Sequence, residues 1–452
     1  MSGFKPYPAY KESGVVLLGE FPDHWQLKRF KNVFEERAER SLDGTEELLS
    51  VSAYFGIKPR SETLDEGDHL SRAESLEGYK VCRSGDLVIN IMLAWNRGLG
   101  FAWQNGIVSP AYSVFHVVDK SIPKFLDYLV RSDECIRYFK THSAGIMDSR
   151  LRLYPESFGR LYTAIPPVFE QTQIARFLDH ETARIDALIE EQQRLIELLK
   201  EKRQAVISHA VTKGLDPAVP MKDSGVEWLG EVPAHWDVAR VKNVAKLESG
   251  HTPSKDFPEY WEGGDIPWVS LNDSKKLKVV DYIDETQFMI TELGVSNSSA
   301  RLLPARAVVF TRDASIGLAA ITTKKMCVSQ HLIAWICNES LVLPEYLLLV
   351  FYAMEEELDR FTFGATIKTI GMPDIRKLVT PVPSLAEQAQ VVADVNAKRE
   401  LIEQLIQESN TALTLHSERR SALISAAVTG KIDVRGWQPL ASVSSPVLEE
   451  AV

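Results

Sequence analysis

Residues 166–216 read PPVFEQTQIARFLDHETARIDALIEEQQRLIELLKEKRQAVISHAVTKGLD, and this stretch decides the architecture. Two prolines open it and Gly214 closes it, the punctuation of a long helix. Stepping alternately four and three residues from Ile174 visits Leu178, Glu181, Ile185, Leu188, Gln192, Leu195, Leu199, Lys202 and Val206. Most are aliphatic, a seam narrow enough for a coiled coil. At 1.5 Å per residue, roughly 40 residues make a rod of about 60 Å. A rod with one apolar stripe needs a partner to cover it.

The chain supplies that partner itself. PPVFEQTQIARFL (166–178) faces PSLAEQAQVVADV (383–395), and VISHAVTKGLD (206–216) faces LISAAVTGKID (423–433), at an offset of 217 with no gap between. The transferred seam is Val391, Val395, Lys398, Ile402, Leu405, Ser409, Ala412, His416, Arg419 and Leu423, more polar but on the same stripe. Upstream, SGVVLLGEFPDHWQLKRFKNV (13–33) and SGVEWLGEVPAHWDVARVKNV (224–244) are identical at thirteen of twenty-one positions. A repeat this long means two copies of one architectural unit. The expected division is a globular part at 1–165, a long helix with linker at 166–216, a second globular part at 217–381 and a second helix at 382–433. The polar tail 434–452 reads as disordered. Two equal rods joined by a Gly/Pro linker are expected to pack antiparallel, which generates a pseudo-twofold internal duplication.

Each globular part mixes strands and helices, an α+β reading. In the first, LLSVSAYF (48–55), GDLVINIML (85–93) and YSVFHVV (112–118) read as strands, and IPKFLDYLVRSDECIRYFK (122–140) reads as a helix. In the second, IPWVSL, ARAVVFTR, LAAIT and HLIAWIC read as strands, and residues 343–361 as the matching helix. The frames agree while the loops diverge: SVSAYFGIKPRSE stands against SGHTPSKDFPEYWEGGDIPWVSLND. Divergent interiors in a duplicated frame suggest that each copy recognises something different.

The length of 452 residues, with 45% hydrophobic and 25% charged residues, suits a soluble protein of several domains. No apolar run is long enough for a membrane span, the N-terminus lacks a signal-peptide core, and four unclustered cysteines suit a reducing cytoplasm. A net charge of −11 weighs against broad phosphate binding, so any nucleic-acid surface must be local or helped by a basic partner.

Motifs for chemistry are scarce. There is no phosphate loop, no Cys/His metal spacing and no Asn/Asp-Pro-Pro-aromatic methyltransferase signature. Single histidines such as His69, His116 and His331 read as core or surface residues, and the acidic runs at 46–48 and 354–358 as solvated faces. What remains points to binding. Tyr54, Lys58, Arg60, Trp95, Asn96 and Arg97 sit in turns beside strands of the first part, and the loop GIMDSRLRLY (145–154) adds Arg150 and Arg152. The second part offers Thr252, Ser254, Lys255, Trp268, Asn272 and Asp273, then Arg312 after a strand and Lys368 in GATIKTIG (364–371). These are the side-chain types that read base edges and grip phosphates.

Taken together, SGV-x-x-LGE-x-P-x-HW at both unit starts, Pro-x-x-x-Glu-Gln ahead of both helices, GDLVIN…WNRG…GIVSPAY (85–112) and TPSKDFPEYWEGGDIPWVSLND resemble the specificity subunit of type I restriction–modification systems. The resemblance covers nearly the whole chain. One departure is PARAVVF in the second unit against SGDLVIN in the first. The resemblance implies two target-recognition domains, each reading one part of a gapped double-stranded DNA sequence, with the helices as a ruler between them. It implies no catalysis and no cofactor in this chain. Partners would be two modification subunits, which use S-adenosylmethionine to methylate adenine, and restriction subunits, which use ATP and Mg to cleave. The alternative reading is a coiled-coil scaffold without a DNA role, favoured by the acidic charge.

Overall fold

The computed structural model describes residues 4–53, 55–63, 75–147, 150–363 and 368–439. Tyr54, His69 and the tail from 440 onward lie outside them. Two compact units emerge: one joins Met1–Gln192 to Thr411–Val452, and the other is Gln193–Asn410. Each unit therefore contains a stretch of both long helices.

The first unit is built on a four-stranded antiparallel sheet in the order Phe34–Glu36, Tyr112–Val117, Leu87–Asn90, Leu99–Phe101. The LVIN strand is buried at every position, which explains why Leu87, Val88 and Ile89 run apolar in place of alternation. Phe30 stacks on Phe158 at 4.7 Å at the centre of an aromatic core that includes Phe34, Phe115 and Phe139. The single helix expected over 122–140 is two, Pro123–Val130 and Asp133–Thr141. Ser132 interrupts it by accepting Cys135 N–H at 3.3 Å, an N-cap that restarts the helix.

The second unit carries a five-stranded sheet in the order Ala245–Ser249, Leu332–Cys337, Val308–Thr311, Ala319–Thr322, Tyr282–Ile283. Only the last of these pairings is parallel. A smaller sheet runs in the spatial order Phe288–Ile290, Ile266–Val269, Cys327–Val328, its first pairing antiparallel and its second parallel. Here too the expected single helix divides, into Pro344–Ala353 and Glu355–Arg360.

The long helices are Val168–Lys213 and Leu385–Val428. In the first unit, Ile174, Phe177, Leu178 and Ile185 share a core with Leu423, Ala426, Ala427 and Val428. In the second, Ile207, Ala210 and Val211 share one with Val391 and Val395. The start of one helix meets the end of the other in both units, so the pairing is antiparallel.

The seam differs from its expected course by one residue at alternate steps. Ile189, Ile196 and Arg203 are more buried than Leu188, Leu195 and Lys202, and Arg399, Ile406 and Arg420 more than Lys398, Leu405 and Arg419. The apolar doublets Leu188-Ile189 and Leu195-Ile196 fit either row of a heptad, so only the facing surface selects between them. Ion pairs from Arg203 to Glu403 at 3.3 Å and from Arg420 to Asp186 at 2.7 Å accompany the observed row.

The repeated motifs turn out to be joints. Glu170 is buried and accepts Trp25 Nε1–H and His24 Nε2 at 2.8 Å and Tyr7 O–H at 2.5 Å. Trp25 also lies against the close of the other helix, where a Cβ on Gly430 would stand 3.2 Å from its ring. In the second unit Glu387 accepts from His235 at 2.6 Å and Trp236 at 3.3 Å, and Gly214 packs on Trp236. Gln171 accepts Ile122 N–H and donates to Pro166 O, and Gln388 does the same with Leu343 and Pro383.

The tail begins later than composition suggests. Val434 is buried, Trp437 packs edge-on to Phe177 at 5.2 Å, and Gln173 Nε2–H donates to the Trp437 carbonyl at 2.5 Å. Two large apolar side chains in 434–437 cover the start of the first long helix, and that burial outweighs the local polarity.

Candidate nucleic-acid interface

In the second unit, a cleft of about 680 Å³ brings together Thr252, Lys255, Trp268 and Asn272. Gly250 makes the close approach possible, because a Cβ there would stand 2.1 Å from Ser329 O. That contact carries His251 and Thr252 past the end of the neighbouring strand, with His251 N–H donating to Val328 O at 3.0 Å. Trp261, Trp268 and Phe288 wall the cleft, the two indoles meeting edge to face at 5.1 Å. Trp268 is 5% exposed and donates its N–H to His251 O at 3.1 Å, so it serves as wall. Asn272 is exposed on a short turn held by Asp273, whose carboxylate accepts the N–H groups of Ser270 and Gln287 at 2.8 Å.

The cleft also exposes two residues that the sequence did not mark as binders, Gln330 and His331. Thr252 O–H donates to Gln330 Oε1, Gln330 Nε2 lies 3.3 Å from His331 Nε2, and His331 Nδ1 lies 2.7 Å from Asp313 Oδ2. Arg312 Nε stands 3.5 Å from Asp313 Oδ1, near enough for charge attraction but outside hydrogen-bond geometry. Ser254 is turned to Asp256. Lys368 pairs with Asp359 at 3.3 Å and is not among the residues lining this cleft.

The first unit distributes its candidates over several loops. Lys58 lies over the Phe55 ring at 5.5 Å, and Arg60 opens the short turn Arg60–Glu62. Trp95 donates to Met92 O at 2.9 Å and carries Lys140 over its ring at 5.2 Å. Asn96 ends the turn Ala94–Asn96, and Arg97 follows in the left-handed region at φ 61°. Arg97 uses its guanidinium inside the fold, on Asp133 and on Arg131 O at 2.6 Å. Arg152 pairs through its backbone with Ala144, while the Arg150 side chain is exposed. A cleft of about 290 Å³ gathers Arg97, Lys124, Arg131 and Arg420 with Asp127 and Asp133. Burial raises the Asp127 carboxyl and lowers the Arg131 guanidinium there.

Among the described residues, no group of three His, Cys, Asp or Glu is placed to hold a metal ion, and no helix is long and apolar enough to cross a membrane. The four cysteines are unpaired.

Comparison with known proteins gives this arrangement a context. Residues 233–409 match the type I restriction modification DNA specificity domain. The MjaIX specificity subunit of Methanocaldococcus jannaschii is 31% identical over 39% of this chain and 40% of its own length. The EcoR124I/EcoR124II specificity subunit of Escherichia coli is 28% identical over 49% of this chain and 50% of its own. The chain thus spans half or less of the length of these two relatives. In fold, it superposes with a TM-score of 0.68 on a chain from a type I restriction–modification assembly, at 18% identity, covering 91% of this chain and 99% of the other.

Proposed function

We propose that this chain, whose residues 233–409 match the type I restriction modification DNA specificity domain, is a DNA-specificity subunit that reads a two-part double-stranded sequence and leaves catalysis to its partners. The observation that carries this reading is the duplicated frame with unlike loops. Both copies keep the Trp–Glu joint, while the residues at the sheet edges differ in size and polarity. One copy would read each half of the target, and the similar lengths of the long helices, 46 and 44 residues, would set the base pairs left unread between the halves. Adenine methylation would come from modification subunits holding S-adenosylmethionine, and cleavage from restriction subunits using ATP and Mg. The net charge of −11 then requires those partners to help clamp the duplex.

The test is to assemble the chain with modification subunits and profile methylated adenines on a randomised duplex pool. One gapped motif is expected, and exchanging residues 14–165 for those of a relative should change one half only. Uniform methylation of the pool in every assembly would reject the reading in favour of a scaffold.

A further inference from the structure

Strand register establishes which residues of the two units correspond. Tyr112 pairs with Asn90 and Phe115 with Leu87 in the first unit, as Leu332 pairs with Thr311 and Trp335 with Val308 in the second. Pro110 and Ala111 therefore answer to Gln330 and His331, and Met92 to Asp313. At one place in a shared frame, the first unit carries apolar side chains and the second a connected polar chain. A chain required to hold the frame together would appear in both copies. This one appears once, at an aromatic-walled cleft.

The bonds within it orient one amide. Asp313 can only accept when ionised, so the proton of a neutral His331 sits on Nδ1, 2.7 Å away, and Nε2 is left as an acceptor. Gln330 Nε2 donates to that acceptor, and Gln330 Oε1 accepts from Thr252. One amide N–H and one carbonyl lone pair of the exposed Gln330 are left for a ligand. Adenine offers the complement in the major groove, an N6 amino donor beside an N7 acceptor; guanine offers two acceptors there. Two more polar groups lie buried next to this chain of bonds. Ser329 Oγ and Asp313 Oδ1 are buried without a hydrogen-bond partner, on residues 1% and 7% exposed.

We propose that Gln330, oriented by Thr252 and His331, reads an adenine edge in the half of the target that the second unit recognises, with Asp313 as the positioning residue behind His331. This assignment rests on the DNA-specificity reading above. Removing a bidentate contact of this kind relaxes one base pair by roughly 5- to 150-fold.

The experiment compares the full chain with Gln330→Ala, Gln330→Glu and Asp313→Asn, each assembled with modification subunits and presented with a randomised duplex pool. Gln330→Ala should relax one A·T position in one half and leave the other half intact. Gln330→Glu should move that position toward C·G, because cytosine N4 donates to a carboxylate. Asp313→Asn should relax the same position, an effect that a purely structural role would not confine to one base pair. A wild-type motif that both Gln330 variants leave unchanged overturns the assignment. A wild-type assembly that selects no motif overturns the specificity reading itself, a separate result.

Discussion

The indole N–H of Trp25 donates to the Glu170 carboxylate at 2.8 Å across 145 residues of chain. Trp236 makes the corresponding bond to Glu387 at 3.3 Å. The most recognisable motifs of this sequence therefore belong to one device, which fastens the start of a long helix to the opening hairpin of its unit. Their repetition records the demands of the frame.

Replacing Glu170 with Gln should destabilise the first unit by about 2–3 kcal/mol, since a buried carboxylate accepting from three donors becomes an amide that must point a donor at one of them. Thermal unfolding of the full chain measures this. Glu387→Gln should cost less, because its carboxylate is partly exposed.

The same joint predicts an acid response. Burial pushes Glu387 up, but hydrogen bonds from His235, Ser384 and Trp236 outweigh it and hold the carboxyl at about 2, against an ordinary value of 4.5. A carboxyl depressed by folding stabilises fully above 4.5 and loses that contribution as pH falls toward about 2. The difference in denaturation midpoint between wild type and Glu387→Gln should therefore shrink across that window. A constant difference from pH 6 to pH 2.5 would show that the joint is not what titrates.

Along the first long helix, Ile196→Ala should cost about 2–4 kcal/mol and Leu195→Ala less than about 1. Ile196 is 8% exposed and its neighbour 41%. Equal losses in chemical denaturation would place the seam on the other row.

The seam shows where sequence reasoning succeeds and stops. Both helices, their antiparallel partnership and the shared positions Ile174, Leu178, Ile185 and Leu199 follow from spacing alone. The choice between Leu195 and Ile196 does not, because both are apolar and the decision belongs to the opposing surface. The cleft repeats the lesson. Thr252, Lys255 and Asn272 are legible as a polar loop within one short stretch. Gln330 and His331 read as unremarkable until the pairing of Leu332 with Thr311 sets them beside Asp313. Arg97 reads as a free cation, yet its guanidinium is engaged by Asp133, a helix-start residue of the same fold.

Lys255 is exposed at the rim of the cleft. Lys255→Ala should weaken binding to all duplexes alike and lower the salt slope of log K by about 1, with the selected motif unchanged. A change of motif would make Lys255 a base reader.

The first unit closes with residues from the far end of the chain: Asp433 N–H donates to Lys5 O at 2.8 Å, and Trp437 seals Phe177. During synthesis, the N-terminal globular part leaves the ribosome first yet has to wait for the last helix, whereas Gln193–Asn410 is contiguous and complete earlier. Maturation thus runs in reverse of translation, and a nascent chain halted near residue 410 should protect its second unit from protease while the first is still cut. A chain cut short near residue 410 would carry one finished unit beside one left open, so the final stretch of sequence decides whether both copies of the duplicated frame mature.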